Sequence, residues 1–211
     1  MAAFFGNLRN VVIAGFVLAI GVAAIYVGCL HGSLDSTFWA FVTRWLHVIS
    51  GVMWIGLLYY FNFVQIPTMP KVPAELKGGV SGYIAPAALF WFRYGALATI
   101  ILGLGLASQS AAFTMPGALT LGLTGGPNIA ATLIGIGMYL GLIMGFNVWF
   151  VIWPNQQKAL NIAGKYPSLS ADEKAAAAKT AMIFSRTNTM LSIPMLLCMA
   201  SASHGLPLIH G

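Results

Sequence analysis

The chain has 211 residues, of which 59% are hydrophobic and only 7% charged, with a mean hydropathy of +0.85. A water-soluble domain carries about 25% charged residues, so this chain lacks the polar groups to cover a solvent-facing surface, which excludes soluble enzymes, secreted disulfide scaffolds and disordered tails. Ten Lys and Arg against four acids give a formal charge of +6, but the basic residues are dispersed along the chain, which argues against nucleic acid as a partner. Cys29 and Cys198 both lie in apolar runs and are read as free membrane thiols.

A bilayer core takes about 20 apolar residues per helix, and five stretches qualify: 10–30, 41–66, 85–107, 129–153 and 180–204. The fold class expected is therefore all-α, a single transmembrane domain over 1–211 built as a bundle of five helices. The first stretch exceeds the roughly 7–15 residues of a cleaved signal core and is read as a retained helix. Arg9 precedes it, Lys71 and Lys77 follow the second stretch, and Lys158, Lys165, Lys174 and Lys179 follow the fourth. Residues 31–40 and 108–128 contain no Lys or Arg. The positive-inside rule then predicts a cytoplasmic N-terminus and a periplasmic C-terminus, in a bacterial inner membrane.

Local punctuation refines the boundaries. Pro67, Pro70 and Pro73 are expected to break the chain after the second span and Pro154 after the fourth, because proline lacks the N–H that a helix interior requires. Ser170-Ala-Asp-Glu173 has the form of a capping box, predicting a helix start near Ala171. Pro194 should kink the helix that follows. Gly137, Gly141 and Gly145, four residues apart, form a small-residue stripe suited either to packing within the bundle or to a homodimer seam.

Ionisable side chains within spans are costly and mark functional positions. Here they are Arg44 and His47 on the second span, Arg93 on the third, and Arg186 and His204 on the fifth, with Asn62, Asn147 and Asn188 as polar company and no acid in any span core. In the expected orientation His47 and His204 lie in the outer half, on different helices, as the two axial ligands of a b-type haem would. Gly51 sits one turn from His47 and would leave room for a flat ring, Arg44 one turn the other way would pair with a propionate, and Trp54 would pack on the macrocycle. A plain hydrogen bond to a neighbouring helix is the competing role for such histidines. His31 and His210 belong to polar or terminal segments and are read as solvated. Arg93, Asn147, Arg186 and Asn188 form a candidate second anion site toward the cytoplasmic half, with arginines snorkelling to the interface as the alternative.

Three segments resemble one family. Arg44-Trp-Leu-His47-Val-Ile-Ser-Gly-Val-Met-Trp54-Ile-Gly56, Asn147-Val-Trp-Phe-Val-Ile-Trp-Pro154-Asn155-Gln156 and Ser185-Arg-Thr-Asn188-Thr-Met-Leu-Ser-Ile-Pro194-Met with Ser203-His204 are similar, in that order, to the membrane domain of the PuuD-type urate hydroxylases. The helix carrying Arg44-Trp45-Leu46-His47 is also similar to one in the HemJ-type haem-associated membrane proteins. The resemblance implies an oxidoreductase that hydroxylates urate and passes electrons to a cytochrome c. The sequence contains no Cys-x-x-Cys-His, so that cytochrome c is expected as a separate partner at the outer face. The alternative is a non-catalytic subunit packed against a larger respiratory or oxygenase complex; an ion-coupled carrier is disfavoured by spans without acids.

Overall fold

The computed structural model describes residues 2–29, 32–124 and 128–204, with residues 2 and 202–204 by backbone alone. Helix is the only regular structure among them. The chain divides into two compact units, Met1–Val42 and Thr43–Gly211. In the first, a single turn at Ala2–Phe5 precedes helix α1, Leu8–Cys29, none of whose residues is buried. Tyr26 near its end stacks on Phe38, ring centroids 6.3 Å apart. Asp35 opens the next helix: its Oδ1 accepts the N–H groups of Thr37 and Phe38 at 2.9 and 3.0 Å, satisfying two donors that the first turn leaves free.

That helix, α2, runs over Ser36–Lys71, followed by α3 at Ala74–Ser108. The short α4, Met115–Leu119, then leads to α5 at Ile129–Leu160 and α6 at Ala171–His204. Asn128 caps α5 by accepting the Ala131 N–H at 2.9 Å. Asn161 ends it in the left-handed conformation (φ 46°), its side chain accepting the Tyr166 N–H at 2.8 Å. The expected capping box is present: Glu173 N–H donates to Ser170 Oγ at 3.2 Å and Ser170 N–H to Glu173 Oε2 at 2.8 Å, with the helix starting at Ala171.

Pro67 and Pro154 do not break the chain where expected. Both lie inside longer helices, and so does Pro86. Each follows a wide π-turn: Ile66 N–H reaches Phe61 O, Ala85 N–H reaches Val80 O and Trp153 N–H reaches Val148 O, five residues back in every case. The clash that normally ejects proline is between its ring and the carbonyl four residues earlier, and widening the preceding turn displaces that carbonyl. The chain therefore carries helix past the proline, and α3 begins at Ala74 rather than at 85. Pro70 lies in the last, tightened turn of α2, and Pro73 directly precedes α3.

Helices α2, α3, α5 and α6 share one core, in which Trp54, Leu58, Leu89, Phe92, Met144, Val148, Ile152 and Ala181 are buried together. The glycine stripe is used mainly inward. A Cβ at Gly137 would stand 3.0 Å from Cys198 Cβ on α6, and one at Gly145 would overlap Ile100 on α3, whereas Gly141 faces open space. Among the described residues, four helices have the length and apolarity to cross a membrane: α1, α2, α3 and α5. The 34-residue α6 turns Ser185, Asn188 and Ser192 into the bundle, which lowers its hydropathy while keeping those groups buried.

Hydrogen bonds from the Ser170 backbone and hydroxyl hold the Glu173 carboxyl below its ordinary value. The folded state thus favours the ionised form, and this contribution, present above the usual Glu range, disappears as pH falls through the lowered native value. Hydrogen exchange in the first turn of α6 is expected to accelerate on acidification through that window, and Glu173→Gln to remove most of the pH dependence.

Candidate functional site

His47 is half-buried between α2 and α3. Its Nδ1 lies 2.8 Å from the Thr99 carbonyl oxygen. A carbonyl only accepts, so Nδ1 carries the proton, and in the neutral ring Nε2 keeps its lone pair. Gly103, one turn beyond Thr99, makes the approach possible, because a Cβ there would come within 2.8 Å of His47 Cε1. The Thr99 hydroxyl is satisfied separately by the Gly95 carbonyl at 2.7 Å. Neither Thr99 nor Gly103 stands out in the sequence except as small residues four apart on the third span.

The other residues expected around a haem are placed as follows. Arg44 is exposed, one turn from His47. Gly51 faces α3, where a Cβ would be in ordinary contact with the Thr99 methyl at 3.8 Å. Trp54 is 1% exposed and packs within the core, its backbone against Gly95, with its Nε1 meeting no acceptor. Both thus belong to the α2–α3 packing surface. The His204 side chain lies outside the described residues, as do His31 and His210; the backbone of His204 closes α6.

Of the four residues expected to form a second anion site, the structure joins only two. Asn147 donates to Asn188 Oδ1 at 2.9 Å, and Asn188 donates in turn to the Met144 carbonyl at 2.9 Å. Asn188 is completely buried. Nearby, Tyr59 and Ser192 hydroxyls are 2.9 Å apart, and Asn62 donates to Ser185 Oγ at 2.8 Å. Arg186 is exposed on the opposite side of α6, since two residues along an α-helix turn the side chain by about 200°. A cavity of about 280 Å³ lies beside this polar group, and its lining includes Gln65, Gln156, Lys179 and Ser185 together with Phe61 and Phe92.

Arg93 stands apart from the asparagines, in an aromatic cage. Its guanidinium carbon is 3.2 Å from the Trp153 ring centroid and 5.8 Å from those of Trp149 and Tyr94. Each cation–π contact contributes about 0.5–2 kcal/mol, so the three rings together are comparable with the roughly 2.5–3.5 kcal/mol that a cation costs at a helix centre. The tryptophans were legible as part of a motif but not as the partners of Arg93, because the π-turn at Asn147–Ile152 alters which residues of α5 face α3.

Residues 112–210 match the model of a family described as Urate oxidase N-terminal. The family read from the sequence motifs is the family matched. The urate oxidase N-terminal match takes in the Asn147–Asn188 pair, Trp149, Trp153 and Arg186, while the helix bearing Arg44, His47, Gly51 and Trp54 precedes it. No curated protein and no solved structure matches the chain significantly.

Two substitutions test this geometry. Asn188→Leu leaves the Asn147 amide and the Met144 carbonyl without their partner and is expected to destabilise the protein in detergent by about 1–3 kcal/mol. Gly103→Ala forces the imidazole off the Thr99 carbonyl and should lower the melting temperature through overpacking, by an amount on the order of 1–3 kcal/mol; melting curves that match the wild type would contradict the placement of His47.

Proposed function

We propose that this chain is the membrane part of an electron-transfer protein with a b-type haem, related to the urate hydroxylases, in which His47 and His204 would hold the iron. The single observation that carries the reading is the His47–Thr99 hydrogen bond. A metal-bound histidine characteristically donates its other N–H to a carbonyl or carboxylate, which fixes the tautomer and aims the ligating nitrogen. His47 has that form, so its Nε2 fits an iron. Gly51 and Trp54 are taken up by α3, which leaves His47, His204 and Arg44 as the residues to hold the group, Arg44 by pairing with a propionate. Bound there, the haem would supply one-electron transfer. What the chain itself contributes is a ring orientation set by Thr99 and Gly103 and a cation beside it.

In this reading α6 is a fifth span. The lysines gathered around the C-terminal ends of α2 and α5 and the starts of α3 and α6 face the cytoplasm, the N-terminus lies with them, and the C-terminus and His47 lie toward the periplasm of a bacterial inner membrane. A separate cytochrome c accepts electrons at that outer face, and urate is the substrate that the family match suggests. A second reading, a non-catalytic subunit or homodimer packed in a larger membrane complex, is favoured by α1, which buries none of its residues, and by the open side of Gly141.

The two readings separate in the visible spectrum of protein purified from its native membrane. Bands of b type in the reduced-minus-oxidised spectrum are expected, with His47→Ala and His204→Ala each losing most of them and Arg44→Ala shifting the midpoint potential while keeping the bands. No such bands in the wild type, or undiminished bands in both histidine variants, would remove the haem assignment. Urate-dependent reduction of added cytochrome c tests the substrate separately.

A further inference from the structure

Arg93 is 91% buried, being 9% exposed, yet it makes no hydrogen bond and no ion pair among the described residues. Its Nε is fully enclosed and unpaired, and so is Nε1 of Trp149, one of the rings that surround it. Guanidinium and indole N–H groups only donate. The enclosure is therefore built of donors and π-faces around a positive charge, and what it lacks is an acceptor. The chain does not supply one: its four acids, Asp35, Glu75, Asp172 and Glu173, are all exposed in or beside the first turns of helices. Snorkelling does not describe Arg93 either. A snorkelling arginine keeps its head at the surface, as the exposed Arg44 and Arg186 do, whereas Arg93 keeps its own beneath Trp153.

We propose that Arg93, Trp149 and Trp153 form a binding site for an oxyanion, a phosphate or carboxylate that accepts from the guanidinium and from the Trp149 indole. The surroundings suit an anion carried on an acyl chain. Tyr94, 45% exposed, meets the exposed Phe90 in a tilted contact with ring centroids 4.7 Å apart, and Phe146 meets Phe150 in another at 4.8 Å, both also exposed. An apolar aromatic flank thus adjoins the charged cage on the same two helices, α3 and α5. The site is independent of the haem proposal and shares none of its residues.

The test uses the full chain, delipidated in a neutral detergent, with melting temperature followed against phosphatidylglycerol, phosphatidylcholine and inorganic phosphate. Phosphatidylglycerol is expected to raise it in a saturable manner and phosphatidylcholine to leave it nearly unchanged. An equal response to inorganic phosphate would identify a soluble oxyanion as the occupant, through the same contacts. Arg93→Gln should weaken the response by about tenfold or more, Trp149→Phe, which removes one donor and keeps a ring, by several-fold, and Arg186→Gln not at all. A wild type that responds to none of the anions, or Arg93→Gln and Trp149→Phe proteins that respond as the wild type does, would overturn the proposal.

Discussion

The bundle depends on one constraint: in a hydrocarbon surrounding, each polar group must find its partner within the protein. Asn188 shows how this is met. Placed at zero exposure, it accepts from Asn147 and donates to the Met144 carbonyl, so α6 is tied to α5 by side chain and backbone together. Tyr59 with Ser192 and Asn62 with Ser185 repeat the device between α2 and α6. These contacts give direction and register to an assembly that lipid-like packing alone would leave free to slide, because apolar side chains gain little from meeting each other rather than lipid.

The same constraint explains how an imidazole is held at the other polar position. His47 is oriented by a backbone carbonyl rather than by an acid, which suits a chain whose four acids all lie in or beside the first turns of helices. A carbonyl partner carries no formal charge and fixes the tautomer, so that in the neutral ring Nε2 keeps the lone pair with which a histidine binds metal. The close approach is permitted by Gly103, so the role of that glycine is steric room for its neighbour rather than backbone freedom.

Much of the architecture was legible in the amino-acid sequence, for identifiable reasons. Hydropathy located the helices, since a bilayer demands long apolar runs. The Ser170–Glu173 box located the start of α6 to the residue, because capping is a local interaction between groups three positions apart. The extent of α2, α3 and α5 was not legible, since proline was read by its usual cost and not by the wide turn that relieves it. The candidate site was legible only in part. Asn147 and Asn188 meet as partners of each other, whereas Arg186 was joined to them by depth alone, and depth says nothing about which way a helical residue faces. The contacts Thr99 makes with His47, and Trp153 with Arg93, lie between helices distant in sequence, and no local pattern encodes them.

Each π-turn has a further effect on the helices that contain it. Closing a ring over five residues instead of four is equivalent to inserting one residue into an otherwise regular helix, which advances the phase of everything beyond it by about 100°. In α5 this lets Met144 and Val148 point into the core while Trp153, past the insertion, is swung round to cover Arg93. Removing a single residue from Asn147–Ile152 would therefore leave the composition almost untouched and still carry both Trp153 and the helical Pro154-Asn155-Gln156 segment to another side of the bundle.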